Sequence, residues 1–139
     1  MTTESNKRLV RRYYEDVVNT GKVEHIDEFV SADYAEVHDN VRHALGMDGA
    51  KAHVLGVRET YPDLHLTVEQ QIAEGEWVVT RVTMRGTHPG EWQGIAPTGK
   101  KVEMTAVNVD RVVNQRIVEH GGAANLLGPL LKIGAVKKC

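Results

Sequence analysis

Apolar residues recur at helical spacing in the first third of the chain and alternate with polar residues beyond it. Leu9, Val10, Tyr13, Tyr14, Val17 and Val18 fall on one stripe, and Gly21 stands just past it, where a left-handed helix stop costs little. This predicts a first helix of about four turns. Ile26, Phe29 and Val30 predict a short second helix over Val23 to Val30. Asp48 is placed to cap a third helix that runs to Tyr61, where Pro62 ends it. Between them, Ser31 to Gly46, with Tyr34, His38 and His43, reads as irregular.

After Pro62 the period changes to two. Leu64, Leu66, Val68, Gln70 and Ile72 alternate with polar residues, and Glu74-Gly75-Glu76 turns the chain into a strand from Trp77 to Thr87. His88 to Lys100 is a loop marked by Gly and Pro. Lys101 to Val113 reads as a long strand, and Asn114-Gln115 as a tight turn back into Arg116 to His120. Leu126, Leu127, Leu130 and Leu131 form a closing apolar segment in which Gly128-Pro129 argues against a regular helix.

Three N-terminal helices followed by a meander predict an α+β fold, with the helices packed on one face of a curved, mostly antiparallel sheet. The 139 residues fit one domain spanning 1–139. The strand Lys101 to Val113 is apolar on both faces, with Val102, Met104 and Ala106 on one and Val107 and Val109 on the other. A sheet apolar on both faces must be covered twice, so a homodimer through the sheet is expected.

Within this apolar frame Asn108, Asp110 and His120 interrupt the strands where a plain core would continue with Val or Ile. Ala106, Asn108 and Asp110 share one face. The two polar residues either face water or line a cavity that holds a few polar groups.

Composition narrows the choices. The net charge is −2 and the seven His are scattered, so no basic stripe suggests nucleic acid. Lys7, Arg8, Arg11 and Arg12 alternate with the first helix's apolar stripe, as a solvated face does. Cys139 is the sole cysteine, which excludes a disulfide framework. MTTESNKR lacks the apolar core of a signal peptide, and no apolar run approaches the roughly 20 residues of a membrane span. A soluble cytoplasmic protein is expected. His38, Asp39 and His43 lack the spacing of a metal site, and no GxGxxG or P-loop implies a nucleotide cofactor.

The segment GIAPTGKKVEMTAVNVDRVVNQRIVEH resembles the signature of SnoaL-type polyketide cyclases of the nuclear transport factor 2-like superfamily. Asn19-Thr20-Gly21, Ala32-Asp33-Tyr34 and Leu131 to Gly134 extend the resemblance over essentially the whole chain. It implies a cone-shaped α+β barrel, in which a bent sheet wraps a long helix around an apolar cavity. The implied ligand is a flat aromatic polyketide. The cyclases of this family carry a general acid/base Asp just beyond the E/D-H pair and a His on the preceding long strand. This chain departs at both places, with Gly122 and Asn108, neither of which exchanges a proton near neutral pH.

His120 is the leading catalytic candidate, because its ordinary pKa lies near neutrality. Asn108 can hold a carbonyl or phenolate oxygen. Asp110 either orients His120 or pairs with Arg81, Arg111 or Arg116, and the ion pair is expected. Tyr14, His38, Trp92, Met104, Gly122 and Asn125 are the substrate-binding candidates, with Trp92 in the loop as a gate over a flat ligand. Some members of the family resemble hydroxylases of anthracycline-like rings, and the missing Asp favours that implication: cofactor-free hydroxylation, served by a separate quinone reductase. The alternatives are ring closure by His120 with Asp110, or a protein that binds its ligand without turnover.

Overall fold

The computed structural model describes residues 2–87 and 99–134, so Trp92 and most of the expected gating loop lie outside the described residues. The first helix begins as α1, Thr3–Tyr13, closed at its start by a capping box between Thr2 and Ser5. It continues through one π-helical turn, Tyr14–Val18. Gly21, at φ +74°, then ends it by donating its N–H to the Val17 carbonyl at 2.8 Å. The stripe read from sequence is the buried one: Val10, Tyr13, Tyr14 and Val17 are all buried.

The second expected helix is only one 3-10 turn, Ile26–Glu28. Val30 belongs instead to a strand, because it pairs with Ile117 across the sheet. The segment expected to be irregular is a hairpin of β1, Val30–His38, and β2, Val41–Ala44. Asp39 and Asn40 both take positive φ at its turn, as two-residue hairpins require. The third expected helix is α2, Gly46–Thr60, and its N-cap is Leu45 rather than Asp48. Asp48 sits in the first turn, where its charge still favours the helix dipole.

The remaining strands follow the alternation closely: β3, His65–Glu74; β4, Trp77–Thr87; β5, Lys101–Val113; and β6, Arg116–Ala124. Asn114 and Gln115 make the β5–β6 turn with positive φ at both. β6 runs four residues further than the pattern suggests, because Gly121 to Ala124 carry no apolar contrast yet still pair with Ala106 to Val109. The closing segment does form a helix, α3, Leu127–Lys132. Pro129 lies in its first turn, where no N–H is needed.

The six strands form one sheet in the order β2-β1-β6-β5-β4-β3, antiparallel throughout except for the parallel β1–β6 pair. The α+β fold class holds, although the third α-helix is C-terminal rather than one of an N-terminal trio. Val78, Val82, Ala106, Val112 and Ile117 on the sheet's inner face meet Val10, Tyr13, Tyr14 and Val17 of the first helix and Ala50 and Val54 of α2. Burying each such aliphatic side chain contributes about 1.5–3 kcal/mol relative to leaving it in water. A smaller cluster of Tyr61, Leu64, Val102 and Ile133 forms beyond one end of this core. Among the described residues, no helix is long and apolar enough to cross a membrane.

Candidate functional site

Between the first helix, α2 and the sheet the core is hollow. One cavity of about 170 Å³ is lined by Tyr13, Tyr14, Tyr34, His53, Val54, Leu66, Met84, Asn108 and His120 among others. A second space of about 170 Å³ shares His53, Met84, Asn108 and His120 with it and extends past His38 and Gly121 to Ala124. Taken together they reach the lower end of ligand-pocket volumes, about 300 Å³.

Two buried carboxylates stand behind the wall of this cavity, each held by a tyrosine and by histidine. Asp110 is wholly buried on the inner face of β5 and lies directly opposite His120 on β6. His120 Nδ1 is 2.6 Å from Asp110 Oδ1, and the Tyr14 hydroxyl donates to Oδ2. The Tyr14 phenol stays protonated because burial, and then the Asp110 charge, raise its pKa well above the ordinary value. Burial alone would lower the His120 pKa, but the Asp110 charge and hydrogen bond outweigh it, and the net direction is upward. With Nδ1 committed to Asp110, Nε2 is the nitrogen left to face the cavity.

Glu36 is the second carboxylate, 2 % exposed and on the inner face of β1 beside His120. The Tyr34 hydroxyl donates to its Oε2 at 2.8 Å; His53 Nδ1 lies 2.9 Å from Oε2, and His38 Nε2 lies 3.1 Å from Oε1. Burial pushes the Glu36 pKa up, but the hydrogen bonds and charge of His53, with those of Tyr34 and His38, bring it down to about 2. The His53 and His120 rings meet edge to face with centroids 6.3 Å apart.

The π-turn bears on this arrangement. An extra residue in the helical turn Tyr14–Val18 shifts the register of the residues after it, and Asn19 then clamps the helix end to β3 through both the N–H and the carbonyl of Leu66, at 2.7 and 3.0 Å. Tyr14, at the start of this turn, reaches from the helix to a carboxylate 96 residues away.

The candidates read from sequence separate accordingly. His120, Asn108 and Tyr14 line one cavity, and Asp110 is sealed behind them against Tyr14 and His120. Asp110 does not form the expected ion pair with an arginine; it is sealed inside, whereas Arg111, on the outer face, pairs with Glu76 at 2.9 Å. His38 is at the mouth, largely exposed, and is held by Glu36. Met104 lies opposite Met84, and it is Met84 that lines the cavity. Asn125 is exposed beyond β6, its N–H donating to the Thr105 carbonyl at 2.8 Å.

Gly122 borders the mouth, but it does not simply open space there. A Cβ on it would come within 2.6 Å of both Asn108 Oδ1 and the Val107 carbonyl. The position is filled from the neighbouring strand.

Sequence reasoning missed Glu36, Tyr34 and His53. Tyr34, Glu36 and His38 alternate as one face of a strand, and His53 shares the inward spacing of Ala50, Val54 and Val57 on α2. These signals are present but carry little hydrophobic contrast.

A family model described as SnoaL-like polyketide cyclase matches residues 8–133. Nogalonic acid methyl ester cyclase of Streptomyces nogalater is 29% identical over 119 residues, covering 84% of this chain and 88% of that protein. Aklanonic acid methyl ester cyclase DnrD of Streptomyces peucetius is 26% identical over 129 residues, covering 91% and 88%. Among solved structures, AclR of Streptomyces galilaeus, provisionally described as a hydroxylase, superposes with a TM-score of 0.83 at 26% identity, covering 98% of this chain and 100% of that one.

Proposed function

The chain belongs to the SnoaL-like polyketide cyclase family, and from that premise we propose that it closes a ring in an aromatic polyketide by intramolecular aldol addition, with His120 and Asp110 as its proton-transfer pair. The observation that carries this reading is the 2.6 Å contact between Asp110 and the ring of His120 at the cavity wall. The Streptomyces nogalater and Streptomyces peucetius relatives are cyclases of nogalonic and aklanonic acid methyl esters. A substrate of that class, a polycyclic aromatic bearing a ketone and an activated CH next to an ester, suits an apolar cavity with a few polar groups.

Proton abstraction and the holding of a substrate oxygen fall to residues of this chain. Asp110 fixes the tautomer of His120, so that Nε2 takes the proton from the activated carbon. The enolate carbon attacks the ketone carbon, and the alkoxide formed takes up a proton, so the product is an isomer of the substrate. The Asp110 charge stabilises the imidazolium formed on the way. Asn108, on the cavity wall, supplies an amide donor to a substrate oxygen.

The sequence favours hydroxylation because Gly122 and Asn108 replace the family's proton-transfer groups. That preference gives way here: the two curated relatives are cyclases, and Asp110 with His120 offers another acid/base pair. Hydroxylation, with a separate quinone reductase, is the second reading, favoured by the likeness to AclR.

One incubation distinguishes them. With an anthraquinone keto methyl ester, ring closure gives a product of unchanged mass, whereas hydroxylation of the reduced quinone under oxygen adds one oxygen atom. Saturable binding with neither product would leave a carrier. His120→Gln should abolish closure, and unchanged turnover in that variant removes the assignment.

A homodimer through the outer sheet face belongs to the same proposal. Ile72, Trp77, Val107 and Val109 are exposed there, and together they make an apolar surface that a second copy would cover.

A further inference from the structure

The Glu36 cluster supplies none of the proton-transfer groups assigned so far, although the Glu36 charge joins that of Asp110 in raising the His120 pKa, and its Tyr34 and His53 line the same cavity. Glu36 is all but sealed from water and still ionised, a placement whose desolvation cost its partners must offset. Where only packing is at stake, an apolar residue of similar volume does as well or better. The donors that repay the burial come from two sides. Tyr34 reaches Glu36 from the same strand, and His53 reaches it from α2 with its ring in the cavity wall.

The His53 pairing repeats that of His120. A carboxylate takes Nδ1, which leaves Nε2 at the far edge of the ring. His53 lines both chambers of the cavity, as His120 does, and the two rings are 6.3 Å apart. An aldol closure needs proton transfer at two atoms that lie close together, the activated carbon and the carbonyl oxygen it attacks. Two imidazoles at this separation can each reach one of them.

Resting on the cyclase reading, we propose that His53, held by Glu36, is a second catalytic residue: it donates to the carbonyl oxygen while His120 works at the carbon. The proton balance is simple. The carbon's proton goes to His120 Nε2, and the proton on His53 Nε2 goes to the new alkoxide. The substrate is isomerised and the two histidines exchange protonation states. His53, with 42% of its side chain exposed, regains its proton from water, and His120 releases its own.

The test separates the two half-reactions in deuterated water with the anthraquinone keto methyl ester. Wild type should both exchange the activated hydrogen above the buffer rate and close the ring. His53→Gln keeps an amide donor but transfers no proton; it should retain exchange within about threefold while ring closure falls about 100-fold or more. Glu36→Gln should show the same split in milder form, since it releases the ring rather than removing it. His120→Gln should lose both.

Ring closure by His53→Gln at the wild-type rate overturns the proposal and leaves the cyclase reading standing. A parallel loss of exchange and closure in a variant with unchanged circular dichroism and thermal midpoint also overturns it, because a merely structural role lowers both together. Neither exchange nor closure by the wild type removes the cyclase reading itself, and this inference with it.

Discussion

Asp110 and His120 face each other across β5 and β6 with 2.6 Å between carboxylate and imidazole, and the carboxylate is wholly buried. A strand pair provides this geometry directly, since residues opposite each other in an antiparallel ladder project from the same face. The partnership gives the first prediction. As a base His120 must be neutral, so kcat/KM should rise with pH through its raised pKa. Asp110→Asn removes the charge that raises it, so the limb should move to lower pH while ring closure falls about 100-fold or more. A pH–rate profile of the two proteins checks both shifts.

Tyr14→Phe removes the second donor to Asp110 and leaves the ring in place. The cost should be about 1.5–3 kcal/mol in urea unfolding, as expected for losing a hydrogen bond to a buried charge. The carboxylate, less well satisfied, should then hold the His120 proton more firmly, so the limb should move to higher pH. A limb that stays in place would mean that Tyr14 acts only through packing.

Glu36 should make stability sensitive to acid. Its carboxyl is lowered from an ordinary 4.5 to about 2, so its contribution is present in full above the unfolded value and is lost as pH falls toward about 2. Urea unfolding of the wild type between pH 6 and about 2.5 should therefore lose stability faster than that of Glu36→Gln. Parallel curves would argue against an ionised, hydrogen-bonded Glu36.

Gly122→Ala tests how closely the neighbouring strand fills the space beside Gly122. The added methyl would press on Asn108 and on the Val107 carbonyl, and backbone yields little, so we expect destabilisation of about 1–3 kcal/mol in thermal or urea unfolding. Adding Asn108→Ala should relieve only part of it. Full recovery in the double variant would mean that the Val107 contact is slack.

Val109→Lys on the outer face should turn a dimer into a monomer without changing the fold. Sedimentation of the wild type and the variant at equal concentration reads this directly. A wild-type monomer would end the dimer proposal.

Much of the fold is legible in the residues. The stripe from Leu9 to Val18, the alternation of β4 and β5 and the Asn114-Gln115 turn are local signals, written in apolar contrast and turn chemistry. The β1–β2 hairpin is hidden for the same physical reason: Tyr34 and Glu36 point inward and His38 ends the same face at the mouth, but all three are aromatic or polar, so no hydrophobic period marks the strand. Gly121 to Ala124 likewise show no contrast, and their pairing is settled by the neighbouring strand.

By itself the sequence determined the elements that bury an apolar face, that Asn108 and Asp110 share one face of a strand, and the resemblance to a family. Only the tertiary structure decided what Asp110 touches. A charge near the end of a strand can meet an arginine or a histidine with equal local logic. The choice follows from burial: the inner face excluded the flexible cations and left the phenol of Tyr14 and the imidazole of His120. Glu36 and His53 came together in the same way, from a strand and a helix whose packing no local spacing records.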